Sequence, residues 1–342
     1  MSRVRIAVVG AGSWGRNHVR TLVSMPDVEL AAICDTDTKR RAELARQYQG
    51  VLVTDSLDQA VDGVDGVVVA TPVISHARVA RELLMRGLPV LIEKPMALSV
   101  DEAEDLCRLV DETGVPVVVG HLLVFHPAVQ YLRQMIAAGE LGSVYYLYSQ
   151  RTNLGQVRPD ENALWSFGPH DVSVALHLLE ERPVRVAAHG KSYIQPGIED
   201  VVFLLLEMNS GTMVHVQMSW LDPHKARRLT VVGSRKMVVF DDMQAQEKIK
   251  VYDKGVDRPP DYGSYGESLA VREGDIVIPR IPNVEPLRAE LNHFAAVVRG
   301  EESPRSGVRE GLEVVRILAA ASESLLDGGR VIELEQTRVS TE

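Results

Sequence analysis

The sequence has 342 residues, of which 45% are hydrophobic and 25% charged, a globular composition long enough for one large domain or two ordinary ones. A formal net charge of -10 and only 5% aromatic residues argue against a protein that binds DNA or RNA, because phosphates are bound by clustered Lys and Arg. The two cysteines, Cys34 and Cys107, lie outside any Cys/His cluster, so we expect no metal site and no disulfide framework.

Short apolar runs alternate with amphipathic segments over the first 120 residues. The runs are rich in Val, Ile and Leu, as in strands buried on both faces, and the segments between them are typical of helices. Ser99 and Gly114 predict the N-cap and the C-cap of the last helix. This alternation predicts a doubly wound parallel sheet. The predicted strands are 4–9, 28–34, 51–53, 66–70, 90–92 and 115–119, and the predicted helices are 16–25, 37–47, 55–61, 75–86 and 100–112.

The pattern changes after Gly120. Two further helices are predicted at 127–138 and 164–179, and two more close the chain. A long segment rich in Gly, Pro and Tyr, 254–286, predicts a loop that acts as a lid or as an oligomer contact. Strand-like runs joined by turn residues predict a mostly antiparallel sheet. These runs are 142–150, 201–208, 213–220, 229–232, 237–240 and 249–252, and the closing helices are 286–298 and 308–326.

We therefore predict an α/β fold with two domains. Residues 1–121 would form a dinucleotide-binding Rossmann domain, and 122–342 an α+β domain with a large, mostly antiparallel open sheet for substrate binding and oligomerisation. Few helices follow the second set of strands, so one sheet face would stay uncovered, which predicts a homodimer or homotetramer. The N-terminus lacks a signal-peptide pattern, and no run has the ~20 apolar residues of a membrane span, so we expect a cytoplasmic protein without a membrane partner.

A glycine-rich motif, GAGSWG from Gly10 to Gly15, follows the first predicted strand and opens the first helix. Gly10 permits the tight turn, and Gly12 lets the backbone approach a pyrophosphate at the helix N-terminus. Gly15 lets the helix and the strand pack closely, and Ser13 and Trp14 belong to the same loop. The motif predicts a dinucleotide site.

Asp35 ends the second predicted strand, 20 residues after Gly15. A carboxylate there can accept hydrogen bonds from the adenosine ribose and repels a 2′-phosphate, which favours NAD over NADP. Lys39, Arg40 and Arg41 follow closely and could instead serve NADP, or they could form the solvated face of a helix. The sequence predicts NAD as the cofactor and leaves NADP as the alternative.

Lys94 follows Glu93 at the end of the fifth predicted strand. Ligands of doubly wound sheets bind beyond the carboxyl ends of the strands, which predicts a place for Lys94 near the nicotinamide. A lysine held near a cationic ring could lose its proton or donate to a developing alkoxide, although many strand-end lysines are simply solvated. His121, after the sixth strand, could face the nicotinamide as well.

Together these motifs resemble the Gfo/Idh/MocA family of oxidoreductases, over most of the chain. The resemblance implies that Lys94 is the catalytic lysine and that Glu93 lies near the nicotinamide ribose. It also implies that Thr71 and Pro72 line the cofactor, and we place the neighbouring His76 in the same site. Besides the glycine loop, the motifs that carry the resemblance are Ala70-Thr71-Pro72 with His76, Glu93-Lys94-Pro95, and Glu285-Pro286-Leu287 with His293-Phe294.

The family's second motif has a histidine at the start of a helix in the substrate domain, which here is His170. Pro169 suits the first position of a helix, so we expect the helix to begin near it. Many family members have Asp four residues before this histidine, whereas this chain has Ser166, which shifts the acid–base chemistry to Lys94 and His170. Asp171 could support His170 or complement the helix N-terminus, and we favour the second.

The stretch from Arg151 to Trp165 is similar to the branch of the family that oxidises UDP-N-acetylglucosamine or its uronate at C3. Arginine can bind a diphosphate or a carboxylate through two hydrogen bonds, although the same stretch could be a charged surface loop. The substrate-binding residues that the similarity implies are Lys94, Arg151, Asn153, Arg158, Trp165 and His170.

Our hypothesis from the sequence is an NAD-dependent dehydrogenase of a small-molecule sugar or nucleotide sugar. The first alternative is an inositol or free-sugar dehydrogenase of the same family. The second is a non-catalytic NAD(H)-binding regulatory protein that has kept the fold. Lys94 and His170 favour an enzyme because a regulator needs neither, and no basic DNA-binding segment is visible in the sequence.

Overall fold

A computed structural model describes residues 3–155, 157–257 and 270–334. The described residues form two compact units, the first made of the chain up to 125 with 284–316, and the second of 126–283 with the chain from 317. The division into domains at 121/122 stays a prediction. None of the helices in the described ranges combines the length and apolarity that crossing a membrane requires.

The first unit contains a six-stranded parallel sheet with the strand order β3-β2-β1-β4-β5-β6. This order confirms the predicted doubly wound sheet. Every residue of β4, β5 and β6 is buried, which explains why these strands consist almost entirely of apolar residues. The strands are β1 (Val4–Val9), β2 (Val28–Cys34), β3 (Leu52–Thr54), β4 (Gly66–Val69), β5 (Val90–Glu93) and β6 (Val117–Gly120).

Five helices connect these strands, and their ends follow the capping residues. Ser99 accepts a hydrogen bond from Glu102 N, and Gly114, at a φ of +68°, ends the same helix, so both predicted caps are confirmed. Asp37 caps the second helix by accepting from Arg40 N. The helices are α1 (Gly15–Val23), α2 (Thr38–Gln47), α3 (Leu57–Val61), α4 (His76–Met85) and α5 (Val100–Thr113).

The second unit contains a nine-stranded sheet with the order β14-β13-β12-β11-β7-β10-β9-β8-β15. Its pairs are antiparallel except β7 with β10, which confirms the predicted mostly antiparallel sheet. The strands are β7 (Val144–Leu154), β8 (Pro183–Lys191), β9 (Val201–Met208), β10 (Met213–Ser219), β11 (Leu221–Gly233), β12 (Met237–Asp241), β13 (Ile249–Asp257), β14 (Ala270–Val277) and β15 (Ile332–Glu333).

The prediction of one loop over 254–286 was wrong. β13 continues to Asp257, and β14 pairs with it in antiparallel register. β14 lies at the edge of the sheet, and its Val271 and Ile276 are exposed. Its sequence therefore lacks the apolar–polar alternation of a half-buried strand. Its extended conformation comes from pairing with β13. The stretch 258–269, also part of the predicted loop, lies outside the described residues.

Four helices complete the chain: α6 (Pro127–Ala137), α7 (Ala163–Leu179), α8 (Pro286–Val298) and α9 (Val308–Leu326). α8 belongs to the first unit, where Leu287, Leu291 and Phe294 join the apolar core that also contains β1 and α1 residues. A helix from the far end of the sequence thereby completes the core beside the parallel sheet.

α7 spans nearly the predicted range of 164–179, but it does not begin near Pro169 as the second motif suggested. Its N-cap is Asn162, whose side chain accepts from Trp165 N at 3.1 Å, and Pro169 lies inside the helix rather than at its first position. Pro169 has no N–H for the carbonyl of Trp165, and the helix continues past this missing bond because it is packed against the sheet. His170 therefore lies in the middle of α7 and not in its first turn.

Candidate active site

The loop between β1 and α1 has the backbone geometry that a dinucleotide requires. Gly10 has a φ of +88°, and a Cβ on it would lie 2.6 Å from the backbone N of Thr71. A Cβ on Gly15 would collide with the carbonyl oxygen of Gly10, whereas a Cβ on Gly12 would meet nothing within 4 Å. Gly10 and Gly15 allow close packing, and Gly12 leaves backbone that a pyrophosphate can approach.

Asp35 lies directly after β2 and is 6% exposed. Its Oδ2 accepts from Ala11 N and its Oδ1 from Asp37 N, both at 2.8 Å, and Arg40 Nη1 donates to both oxygens at 2.9 and 3.0 Å. Burial opposes ionisation, but these hydrogen bonds outweigh it and hold the pKa of Asp35 below its usual value. The position predicted for the adenosine ribose therefore carries an ionised acceptor.

The carboxylate of Glu93, at the end of β5, collects several donors. Trp14 Nε1 donates to Oε1, His18 Nε2 lies 2.6 Å from the same oxygen, and Lys94 N donates to Oε2 at 3.1 Å. Burial opposes ionisation of Glu93, but the bond to His18 and the charge of Lys94 hold its pKa below the usual value. Glu93 thus connects the glycine loop to the end of β5, where the predicted catalytic lysine, Lys94, lies.

The sequence reading did not single out His18. It lies four residues after Trp14 in the first helix, so the two side chains share one face, and their rings meet edge to face at 6.4 Å. This spacing is the signal that could have identified it.

His76 connects the loops after β4 and β5. Its Nε2 lies 2.8 Å from the carbonyl oxygen of Thr71, and its Nδ1 lies 2.9 Å from that of Pro95. The Lys94–Pro95 peptide bond is cis. His76 is buried, with 2% of its surface exposed. Its ring contacts the two loops that carry Thr71, Pro72 and Lys94.

His121 follows β6 and is held by a residue from the far end of the sequence. Its Nδ1 lies 2.8 Å from Ser306 Oγ, and Val119 N donates to Ser306 O at 2.7 Å. The pKa of His121 is lowered to about 4, mainly by burial; the charge of Glu93 opposes this shift and the charge of Lys94 adds to it. His121 is therefore neutral near pH 7, and within the described ranges its Nε2 has no hydrogen-bond partner.

A second carboxyl group, Glu290 of α8, is fully buried on the side of the helix that faces the core. Neither of its oxygens has a hydrogen-bond partner among the described residues. Burial and the negative charge of Glu93 raise the pKa of Glu290 well above its usual value, which favours its neutral form. An acidic residue within the apolar stripe of Leu287, Leu291 and Phe294 is the signal that sequence reading missed.

In the second unit, Asp171 of α7 belongs to a buried network with β7. Its Oδ1 accepts from Ser149 Oγ at 2.5 Å and from Arg151 Nη2 at 3.3 Å, and Arg151 Nε donates to Oδ2. The preferred reading, that Asp171 complements a helix N-terminus, is therefore wrong, because Asp171 lies in the middle of α7 and binds Arg151. His170, next to it in the helix, is half-buried.

The other residues predicted to bind substrate have different surroundings. Trp165 Nε1 donates to Ser322 Oγ of α9 at 2.9 Å, and Arg158 forms an ion pair of 2.8 Å with Glu161. Asn153 lies two residues after Arg151 in β7, and its Oδ1 is buried without a partner in the described part of the chain. Asn153 and Arg151 share one face of the sheet.

Arg227 of β11 is directly opposite Arg151 in the β7–β11 ladder, so two positive side chains share a face. Burial and the charge of Arg151 lower the pKa of Arg227. Asp242 lies 3.9 Å from Arg227 Nη1 and accepts from Lys248 at 3.0 Å, and the sequence reading named none of these three residues. A cross-strand pair of arginines could not be read from the sequence because the register was unknown.

The described residues contain no group of three or more His, Cys, Asp or Glu side chains that could hold a metal ion. Cys34 and Cys107 are both buried and are not joined in a disulfide.

Comparison with protein-family models gives two matches along the chain. Residues 4–121 match an oxidoreductase family with an NAD-binding Rossmann fold, GFO_IDH_MocA, and residues 129–239 match the GFO/IDH/MocA C-terminal domain.

The similarity to known proteins covers nearly the whole chain. UDP-N-acetylglucosamine 3-dehydrogenase of Acidithiobacillus ferrooxidans is 28% identical, over 94% of this chain and 96% of that protein. The NAD(+)-dependent scyllo-inositol 2-dehydrogenase of Bacillus subtilis is 27% identical, over 88% of each. The crystal structure of GenD2 from gentamicin A biosynthesis, in complex with NAD, superposes with a TM-score of 0.81 at 26% identity, covering 98% of this chain and 97% of that one.

Proposed function

The chain belongs to the Gfo/Idh/MocA family of NAD-binding oxidoreductases, and we propose that it oxidises a secondary hydroxyl of a sugar with NAD as the hydride acceptor. The proposed substrate is a nucleotide sugar of the UDP-N-acetylglucosamine type, oxidised at C3. The observation that carries this proposal is the similarity to a UDP-N-acetylglucosamine 3-dehydrogenase along 94% of the chain.

The residues of the first unit fit the cofactor. The loop from Gly10 to Gly15 would hold the pyrophosphate, because backbone N–H groups at a helix N-terminus bind phosphate and no Cβ at Gly12 blocks the approach. The ionised carboxylate of Asp35 would accept from the adenosine ribose, and Glu93 and His121 would lie towards the nicotinamide. When bound, the nicotinamide ring of NAD accepts the hydride.

The roles of the reacting side chains follow the family resemblance. His170 takes the proton from the substrate hydroxyl, and Lys94 Nζ donates a hydrogen bond to the substrate oxygen that becomes a carbonyl. Binding holds the reacting carbon in position, which contributes much of the rate. Asp171 binds Arg151, so we assign it no proton transfer.

Arg151 and Asn153 are proposed to bind the polar part of the substrate. Arg151 is buried and oriented by Asp171, and the buried Oδ1 of Asn153 is an acceptor for a substrate donor. Arg158 and Trp165 remain proposed substrate contacts, on the resemblance alone. Their observed partners are Glu161 and Ser322.

A polyol substrate of the inositol type is the second candidate, because the scyllo-inositol 2-dehydrogenase is 27% identical over 88% of the chain. Initial rates of NADH formation with UDP-N-acetylglucosamine, its uronate, myo-inositol and glucose would separate the two candidates. We expect the highest kcat/KM with one of the UDP-sugars. A higher kcat/KM with inositol or glucose would contradict the proposed substrate.

His170→Ala and Lys94→Ala test the catalytic assignment. General acid–base catalysis contributes ~10²–10⁴-fold, so each variant should lose kcat by about that factor while NADH binding stays near wild type. Lys94→Arg should not restore turnover, because arginine stays protonated and has a different shape. His177→Ala is the matched control, because this histidine lies in the same helix and contacts Gln130.

Steady-state turnover, measured beside an NADH titration, decides the assignment. Near-normal kcat in either alanine variant would remove that residue from the proposed mechanism. Near-normal kcat in both would leave the proposed chemistry without its acid and its base.

We also propose that the protein is a cytoplasmic homodimer or homotetramer that associates through the nine-stranded sheet. One face of this sheet exposes apolar side chains, among them Tyr146, Phe203 and Leu205, whose exposed fractions are 40–44%. An exposed apolar sheet face of this kind supports association with a second copy.

A further inference from the structure

The carboxylate of Asp35 has no acceptor position left for a ribose hydroxyl. Each carboxylate oxygen offers about two acceptor positions. Oδ2 accepts from Ala11 N and Arg40 Nη1, and Oδ1 accepts from Asp37 N and Arg40 Nη1, all between 2.8 and 3.0 Å. A ribose that binds Asp35 must therefore displace at least one of these donors.

Arg40 is the donor that can leave. Ala11 is the buried residue that follows Gly10 in the glycine loop, and Asp37 N belongs to the turn that caps α2, where Asp37 Oδ1 accepts from Arg40 N at 2.9 Å. Moving either N–H would disrupt the backbone. The side chain of Arg40 is 33% exposed, so its guanidinium can exchange Asp35 for water by side-chain rotation alone.

The neighbouring Arg41 is held differently. Its Nη1 donates to the backbone carbonyl of Asp35 at 2.8 Å, its Nη2 lies 2.8 Å from Asp55, and its side chain is only 18% exposed. Arg41 thus contacts the backbone of Asp35 and the side chain of Asp55, whereas Arg40 contacts the carboxylate oxygens of Asp35.

We propose that Arg40 determines how strongly this site prefers NAD over NADP. Its guanidinium covers Asp35, so the ribose of NAD has to displace it, which weakens NAD binding. The same cation balances the charge by which Asp35 repels a 2′-phosphate, and it can bind that phosphate, which strengthens NADP binding. The sequence placed Arg40 either with NADP or on a solvated helix face, whereas its contacts with Asp35 tie it to both cofactors.

Isothermal titration of NADH and NADPH into the whole chain tests this proposal without any sugar. Arg40→Gln should bind NADH at least about fivefold more tightly and NADPH at least about fivefold more weakly than wild type. Arg46→Gln, an exposed arginine in the last turn of α2, is the matched control and should leave both affinities within about twofold.

Two further variants separate competition from a structural effect. Arg40→Lys keeps a positive charge on a shorter side chain without the planar guanidinium, so it should tighten NADH by less than Arg40→Gln while it keeps most of the NADPH affinity. In an Asp35→Asn background, adding Arg40→Gln should no longer tighten NADH, because the competition for the carboxylate is already gone.

Weaker or unchanged NADH binding in Arg40→Gln and Arg40→Lys would overturn the proposal, and so would unchanged NADPH binding in Arg40→Gln. The proposal concerns the cofactor site alone. If the affinities shift as expected but no sugar is oxidised, the proposed function fails and the role of Arg40 stands.

Discussion

The pKa values of two carboxyl groups in the first unit are shifted in opposite directions. Glu93 accepts hydrogen bonds from Trp14 and Lys94 N, and its pKa is lowered, whereas Glu290 is buried without a partner in the described ranges, and its pKa is raised. The difference follows from the donors, because both groups are buried. The charge of Glu93 itself contributes to keeping Glu290 protonated.

The raised pKa of Glu290 makes stability depend on pH in a defined direction. Below the usual pKa of 4.5 the carboxyl is protonated in both the folded and the unfolded chain. As the pH rises above that value, only the unfolded chain ionises, so the free energy of unfolding falls until the folded pKa is reached. This group therefore makes the protein less stable at pH 7 than at pH 4.5.

Glu290→Gln removes the titration and keeps the shape. We expect the variant to gain stability relative to wild type as the pH rises from 5 towards 7, at a slope of at most about 1.4 kcal/mol per pH unit. Urea unfolding across this range measures the difference. Glu285→Gln, at the exposed N-cap of the same helix, should show no such slope. A constant difference between wild type and Glu290→Gln would mean that Glu290 is ionised in the folded chain.

At the scale of elements, two glycines of the glycine loop have different roles, Gly15 in folding and Gly12 in the proposed cofactor site. The backbone leaves no room for a Cβ at Gly15, because the carbonyl oxygen of Gly10 occupies its place. Gly12 has open space instead. The two glycines look alike in the motif, and only the structure distinguishes what each one permits.

Gly15→Ala should therefore destabilise the first unit, by roughly 1–3 kcal/mol as in other overpacked sites, and should also impair NADH binding. Gly12→Ala should fold with near-normal stability and yet bind NADH at least about tenfold more weakly, because its methyl group meets the pyrophosphate. Thermal unfolding and NADH titration of both variants give the comparison. Tight NADH binding by Gly12→Ala would contradict the proposed cofactor geometry.

α7 shows how one element can move a predicted catalytic residue. Pro169 suggests a helix start, but Asn162 provides the N-cap seven residues earlier, and the helix continues through the proline. His170 remains in the helix, although in its middle, and Asp171 turns out to bind Arg151. The sequence pattern predicted that a helix exists here. The cap at Asn162 and the packing of the helix determine where it begins.

At the scale of the whole molecule, the nine-stranded sheet predicts association. The rings of Phe203 on β9 and His215 on β10 stack at 6.3 Å on the exposed face, next to Leu205. We expect light scattering at micromolar concentration to give at least twice the chain mass of 37.7 kDa. Phe203→Lys with Leu205→Lys should shift the mass towards one chain, because buried charges oppose association.

Leu326→Lys is the control for this test. Leu326 is 89% exposed at the end of α9 and should leave the mass unchanged. A clean single-chain mass for the wild type, or an unchanged mass for the double variant, would exclude association through this sheet face.

The sequence by itself determined the six parallel strands, the five helices between them, the caps at Ser99 and Gly114 and the glycine loop. These features depend on residues close together in the chain, so periodicity and turn chemistry reveal them. Asp35, 20 residues after Gly15, and the short motifs that carry the family resemblance were recognised from local sequence in the same way.

The tertiary structure alone decided which distant residues meet. Ser306 holds His121 across 185 positions, Arg227 faces Arg151 through strand register, and Glu290 is buried where the charge of Glu93 acts on it. Their charge states follow from burial and from neighbours supplied by other elements, which no local pattern contains. For the same reason β14 became a strand only by pairing with β13, although its sequence predicts a loop.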